Sequence, residues 1–313
     1  MTPEQFANLQ RDFLIRTEKQ SAILLDAEFA RLKREITDFL IQTTGNRTVP
    51  VNLYVAGYLE RILLLLENKL DVIGLSAARI VSRAQTNVIN FASGELKKYL
   101  KLKIESSIFS PDREAIRGLI GRAFEGKSLQ TVFKRMTKPV ADRARVELIE
   151  GFALGESNAA IAKRISDATG MARYRAMTIS RTEQNEAYRA ASREFMQEAD
   201  IQQYVWMSVL DPRTCLTCWS LHGRKFKSSK KVFSHPNCKC VMLPLVKNQP
   251  DIITGAEHFG RLEIGYQKQI LGAKRFEIFQ QRKFGLNDFV GKSKSKEFGE
   301  KYFVKNLSDL PES

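Results

Sequence analysis

The sequence predicts a mainly α protein with a small α+β module built on cysteine and histidine, and an elongated helical N-terminal arm. Three observations lead there. Apolar residues recur at helical spacing through most of the first 200 positions. That period gives way to strand-like alternation at Gln203. All four cysteines then fall between Cys215 and Cys240, close to two of the three histidines. A hydrophobic share of 43% and a charged share of 27% are ordinary for folded chains and exclude wholesale disorder.

The first element is a long helix. Thr2 can cap it, Pro3 suits the first helical position, and Glu4 suits the positive end of the dipole. Ala22, Leu25, Phe29, Leu32, Ile36 and Phe39 then form a coiled-coil-like seam, with Gly45-Asn46 as its stop. A second long helix follows Pro50, with Leu59, Ile62, Leu66, Leu70, Ile73, Ala77, Ile80 and Ala84 on one stripe. Together they read as an antiparallel hairpin or as an arm that docks to a larger assembly.

Ser110-Pro111-Asp112 starts a run of shorter helices at about 111–125, 128–136 and 140–154. Ser157 caps a short helix, and a long one follows at about 172–198. The stretch 155–183 superficially resembles a helix-turn-helix, although its charge is near zero. Tyr204–Val209 reads as a strand, Asp211-Pro212-Arg213-Thr214 as a turn, Cys215–Leu221 as a short helix and Cys240–Pro244 as a last edge strand. Residues 251–290 look helical, and the polar tail after them mobile. The segments expected are therefore 1–110, 111–200, 201–247 and 248–313.

Lys and Arg number 50 against 35 Asp and Glu, a formal net charge of +15. Nearly half of that excess lies in residues 201–250, which hold eight basic residues and one acidic. Polyanions are the natural partners of such a surface. Arg213, Arg224, Lys225, Lys227, Lys230, Lys231 and Lys239 are the candidate phosphate contacts. No apolar run approaches the roughly 20 residues a spanning helix needs. Glu4, Arg11 and Asp12 interrupt any secretory signal, so a soluble cytoplasmic chain without a membrane partner is expected.

Cys215 and Cys218 form C-x-x-C; His235, Cys238 and Cys240 form H-P-x-C-x-C. A C-x-x-C knuckle lets two thiolates reach one ion, and a second pair from a loop closes a tetrahedron. Sulfur and imidazole select zinc over calcium or magnesium. Five candidates compete for four places: Cys215, Cys218, His235 and Cys238 are favoured, with Cys240 as a substitute. Cysteines that merely pack, or a catalytic centre, fit the same pattern. His222 reads as a surface or packing histidine. H-x-E before P-C-x-x-C, H-E-x-x-H, a Walker A loop and G-x-G-x-x-G are all missing, so no complete catalytic motif points to an enzyme.

Several motifs occur in one order. Arg181-Thr182-Glu183 precedes Asn185, Ala187 and Tyr188; then come Trp206, Asp211-x-Arg213-Thr214-Cys215-x-x-Cys218, Leu221-x-Gly223 and His235-Pro236-Asn237-Cys238-Lys239-Cys240. This set, over about 125–246, resembles the phage head morphogenesis family, minor head proteins similar to protein F of phage Mu. Lys239 stands where the family usually has arginine. The resemblance implies a non-enzymatic virion protein of a tailed phage or prophage, internal to the particle after assembly in the host cytoplasm. It implies association with the portal, with capsid or scaffolding proteins and with DNA, during packaging or ejection. The first 110 residues would then be a portal- or capsid-docking arm. Arg181, Glu183, Trp206 and Asp211 read as structural members of the motif, the first two tying the long helix to the Cys/His module. A metal- or cysteine-dependent enzyme acting on nucleic acid or protein, and a DNA-binding regulator, are the competing functions.

Overall fold

A computed structural model describes residues 1–313 apart from 45–54, 102–112, 124, 155, 248, 282–283, 296–298 and 311–313. The expected stops and starts at Gly45-Asn46, Pro50 and Ser110-Pro111-Asp112 lie outside the described residues. The described helices are α1 Pro3–Thr44, α2 Val55–Lys101, α3 Arg113–Leu119, α4 Leu129–Ala153, α5 Asn158–Glu198, α6 Leu216–Leu221, α7 Gly255–Gly260, α8 Ile264–Leu271 and α9 Ala273–Gln280. The strands are β1 Gln203–Met207, β2 Lys225–Lys227, β3 Val232–Phe233, β4 Val241–Pro244, β5 Val290–Ser295 and β6 Gly299–Val304. The protein is mainly helical with small sheets, as its periodicity predicts. No described helix is long and apolar enough to cross a membrane.

Contacts divide the chain into two compact units. One holds residues 1–16, 87–120 and 184–313; the other holds 17–86 and 121–183. Among the described residues the second unit is built on helices, with one isolated β-bridge between Arg122 and Ser128. The seam from Leu25 to Ile36 packs with Ile62, Leu66, Leu70, Ile73 and Ala77, and with Phe133, Met136, Val140, Ala144 and Leu148 of α4. Gly74 faces the backbone of α4, where a Cβ would lie 3.7 Å from the Phe133 carbonyl carbon, an ordinary contact that an alanine could also make. Arg164 donates to Glu156 at 2.6 and 2.8 Å and to Glu147 at 3.0 Å, joining α5 to α4.

Two expected breaks do not occur. α4 runs straight through Pro139, although 128–136 and 140–154 were expected as separate helices. The ring removes one N–H, but the buried stripe Phe133–Met136–Val140–Ala144 keeps its 3-4-4 spacing across it. α5 likewise absorbs Gly170, because Ile161, Ile165, Ala168, Ala172 and Ala176 are buried in unbroken register. Residues 158–183 are therefore one continuous helix, and the helix-turn-helix reading falls. α3 is also shorter than expected, and the helical region 251–290 is three short helices followed by β5.

The other unit carries the Cys/His module. Residues 3–16 of α1 run antiparallel to the end of α2, with Phe6 stacked on Tyr99 at 4.1 Å and Phe13 on Phe91 at 3.8 Å. The α5 helix ends at Glu198, and Asp200, at φ 53°, reverses the chain while the Ile201 amide donates to the Met196 carbonyl at 2.7 Å. β1 then becomes the centre of an antiparallel sheet ordered β2-β1-β4, in register Trp206 to Met242 and Tyr204 to Phe226. All four residues Tyr204 to Met207 are buried, so both faces of β1 are covered.

The tail corrects the expectation of a mobile segment. β5 and β6 form a hairpin, and β6 pairs in parallel with β3, Val232 opposite Glu300. Buried Tyr302 packs edge-on against Phe226 at 6.2 Å. Lysine alternation over 292–294 reads as solvated chain, yet it leaves the backbone free to complete a ladder. β4 is accordingly not the last strand.

Candidate metal centre

The two halves of the cluster are set by local chain chemistry. Asp211 opens the first. Its Oδ1 accepts the Arg213 amide at 2.7 Å, and its carbonyl accepts the Thr214 amide at 3.0 Å and Trp219 Nε1 at 3.3 Å. That turn delivers Cys215 to the N-cap of α6, where Sγ accepts the Cys218 amide at 3.4 Å. Both thiols then point the same way from one helical turn. Gly223, at φ 78°, ends this element and its amide donates to the Trp206 carbonyl at 2.9 Å.

The second half is a tight turn written as His235-Pro236-Asn237-Cys238. Pro236 fixes the first corner, Asn237 takes φ 62°, and the Cys238 amide returns to the His235 carbonyl at 3.3 Å. This is the residue pattern of a type II turn. It brings His235 and Cys238 to the same end. His235 Nδ1 donates to the Pro236 carbonyl at 2.7 Å. A carbonyl only accepts, so Nδ1 carries a proton and Nε2 is turned to the sulfurs.

The halves meet. His235 Nε2 lies 3.1 Å from Cys215 Sγ and 3.2 Å from Cys218 Sγ, and Cys218 Sγ lies 3.7 Å from Cys238 Sγ. Two triads result, Cys215–Cys218–His235 and Cys218–Cys238–Cys240, each with ligand atoms within 4.8 Å of one another. All five sequence-selected candidates are thus brought together, with Cys218 common to both sets. The cysteines are free thiols, three of them buried. The arrangement could hold a metal ion.

Its electrostatics are poised for one. Hydrogen bonds from Cys218 and His235, against the opposing effect of burial, bring the Cys215 thiol down to about 5. Cys238 is also held well below the usual thiol range by Cys218 and Cys240. Burial works against a charged His235, but its bonds to Cys215 and Cys238 prevail and lift it to about 10. Cys218 is raised by hydrogen bonds from its three sulfur neighbours, and Cys240 chiefly by burial. These directions favour a charged His235 beside charged Cys215 and Cys238. Proton release is then coupled to metal capture.

Arg189, Glu186 and Ser208, which sequence reasoning missed, join the motif residues Asn185 and Trp206 around the cluster. Arg189 and Glu186 on α5 form an ion pair with both side chains almost wholly buried. Arg189 donates to the carbonyls of Cys238 and Cys240, and Asn185 Nδ2 adds a bond to the Cys238 carbonyl at 3.1 Å. Ser208 Oγ accepts from Cys240 Sγ at 3.2 Å and donates to the Cys218 carbonyl at 2.7 Å. Trp206 is fully buried beneath Arg189. Arg181 and Glu183 lie on α5 one to two turns earlier, half-buried and buried respectively.

His222 is a packing histidine rather than a surface one. Its Nδ1 accepts the Ser208 amide at 3.1 Å, and its ring meets His258 edge-on at 5.9 Å. Burial, with His258 nearby, pushes it down to about 4 from 6.5. The unfolded imidazole takes a proton below about pH 6.5, the folded one only near pH 4. Its contribution to stability is therefore complete above pH 6.5 and disappears as pH falls toward 4, by about 3 kcal/mol. Urea midpoints of chelator-treated protein should show this slope, and His222→Gln should flatten it.

The basic candidates are less uniform. Arg213 pairs with Asp211 at 3.2 Å, Lys225 with Asp251 at 3.1 Å and Lys230 with Glu300 at 2.8 Å. Lys230 also sits over the Phe226 ring. Lys227 and Lys239 are exposed, and Arg224 and Lys231 half-buried.

No curated protein and no solved structure matches the chain. Residues 142–243, which run from α4 through the whole Cys/His cluster into β4, match the model of the family described as Phage Mu protein F like protein. Over that third of its length the chain is similar to the phage head morphogenesis family, in the segment that carries the Cys/His cluster.

Proposed function

We propose that this protein is a minor head protein of a tailed phage or prophage. It associates with the portal and with capsid or scaffolding proteins, assembles in the host cytoplasm and ends inside the virion. In this reading one zinc ion, on Cys215, Cys218, His235 and Cys238, staples the turn before α6 to the loop before β4. The observation that carries it is that the family segment coincides with a converged, soft donor set. The ion's part is structural cross-linking. Burial of Cys218, Cys238 and Cys240 favours this role, because a catalytic zinc keeps a position open to substrate.

The same module is proposed to neutralise DNA phosphates without reading sequence. Three of its seven basic candidates already face carboxylates, so fewer than seven phosphates are engaged. The slope of log affinity against log salt should then be negative and smaller in size than about 6. An affinity that stays flat between low and moderate salt overturns the DNA part. For the head assignment, the chain should co-purify with the portal when both are expressed with the head proteins of the same phage. Particles that exclude it while carrying portal would overturn that part.

A further inference from the structure

Arg189 is the most deeply buried cation described, with 1% of its side chain exposed. Its fork is fully committed. Nε donates to the Cys240 carbonyl at 3.1 Å, and one Nη donates to the carbonyls of both Cys240 and Cys238 at 2.8 Å. The other Nη pairs with Glu186. Its face lies 5.1 Å from the centre of the Trp206 ring. An apolar side chain of equal volume would often stabilise a core as well or better, since a buried ion pair must offset a large desolvation cost. What an apolar residue cannot do is grip two carbonyls two residues apart.

Those carbonyls belong to the two cysteines of the H-P-N-C-K-C loop. Fixing the peptide planes that follow Cys238 and Cys240 constrains the direction in which each Cα–Cβ bond leaves the chain. We propose that Arg189 is the positioning residue of the metal centre: by bridging the Cys238 and Cys240 carbonyls it aims the loop thiols at Cys218. This rests on the zinc reading and extends it to a residue that does not touch the ion. It makes closure of the loop on α5 and retention of the metal one event. Outer partners of this kind typically change metal affinity by about 10–100-fold.

The test follows zinc release from the folded full-length chain, with excess chromophoric chelator, alongside thermal unfolding of the same samples. Arg189→Lys keeps the charge but not the fork, and should release zinc about 10–100-fold faster. Arg189→Met alone strands the Glu186 carboxylate and should unfold early. The double variant Arg189→Met with Glu186→Gln removes both charges, and should regain most of the melting temperature while still releasing zinc fast. That separation is the signature of positioning, because a merely structural pair would recover both properties together. A double variant with the parent's release rate overturns the proposal. If it does not fold, a parent-like rate in Arg189→Lys overturns it instead. A parent that binds no zinc removes the metal reading as well, a result distinct from a zinc-bound parent with indifferent variants.

Discussion

Under the proposed zinc staple, Cys218→Ser should lower the zinc content of the purified protein from about one ion per chain to nearly none. No other ligand is shared by both triads, so its loss removes a donor from either arrangement. Hydroxyl is a poor substitute for thiolate on a soft-ligand site. Structural zinc in small peptides contributes on the order of 10 kcal/mol or more. Here the effect on folding should be smaller, because the unit around the site has its own core from Phe6 to Tyr302. Loss of the metal should loosen α6, β3 and the 234–240 loop while α1, α2 and α5 stay helical. Amide exchange would read this as fast exchange confined to about residues 208–244. A variant that keeps its zinc and its protection in that stretch would exclude Cys218 as a ligand. Cys240→Ser should be milder, since its thiol also has Ser208 as a partner.

Gly255→Ala should be the most damaging glycine-to-alanine change among the described glycines compared for close contacts. A Cβ there would stand 1.8 Å from the Trp219 carbonyl oxygen and 2.9 Å from its carbon. Those are backbone atoms of α6, so no rotamer change relieves the clash. The Gly255 amide also donates to the His222 carbonyl at 2.9 Å, which pins the approach from the other side. Overpacking costs typically 1–3 kcal/mol when side chains can adjust, and about 3 kcal/mol or more is expected here. The damage should reach the metal centre, because Cys215 and Cys218 flank the same turn of α6. Gly260→Ala, at the other end of α7, meets nothing within 4 Å and should be neutral or mildly stabilising. Equal denaturation midpoints for the two variants would refute the close approach.

Much of this was legible in the sequence. Leu25, Phe29, Leu32 and Ile36 of α1 and Ile62, Leu66, Leu70, Ile73, Ala77 and Ala84 of α2 are buried where their periodicity puts them, and the C-x-x-C and H-P-x-C-x-C halves converge. Punctuation misled where a strong stripe overrode it, at Pro139 and Gly170. Arg189 was invisible for a different reason. Charged residues on a helix normally face water, and nothing local marks Glu186 and Arg189 as buried. A faint signal exists in the small residues Ala187, Ala191 and Ser192, all buried, which let neighbours close in around α5. The tail hairpin was hidden because its partner, β3, is two residues long and about 70 positions away.

That pairing of β3 with β6 has a consequence for synthesis. The residues just ahead of His235 stay without their neighbouring strand until positions 299–304 have left the ribosome. At about 5–20 residues per second, the nascent chain holds four reactive sulfurs in an incompletely braced loop for several seconds. Premature oxidation or capture by the wrong cation has its opening in that interval, and shuts with the final ladder.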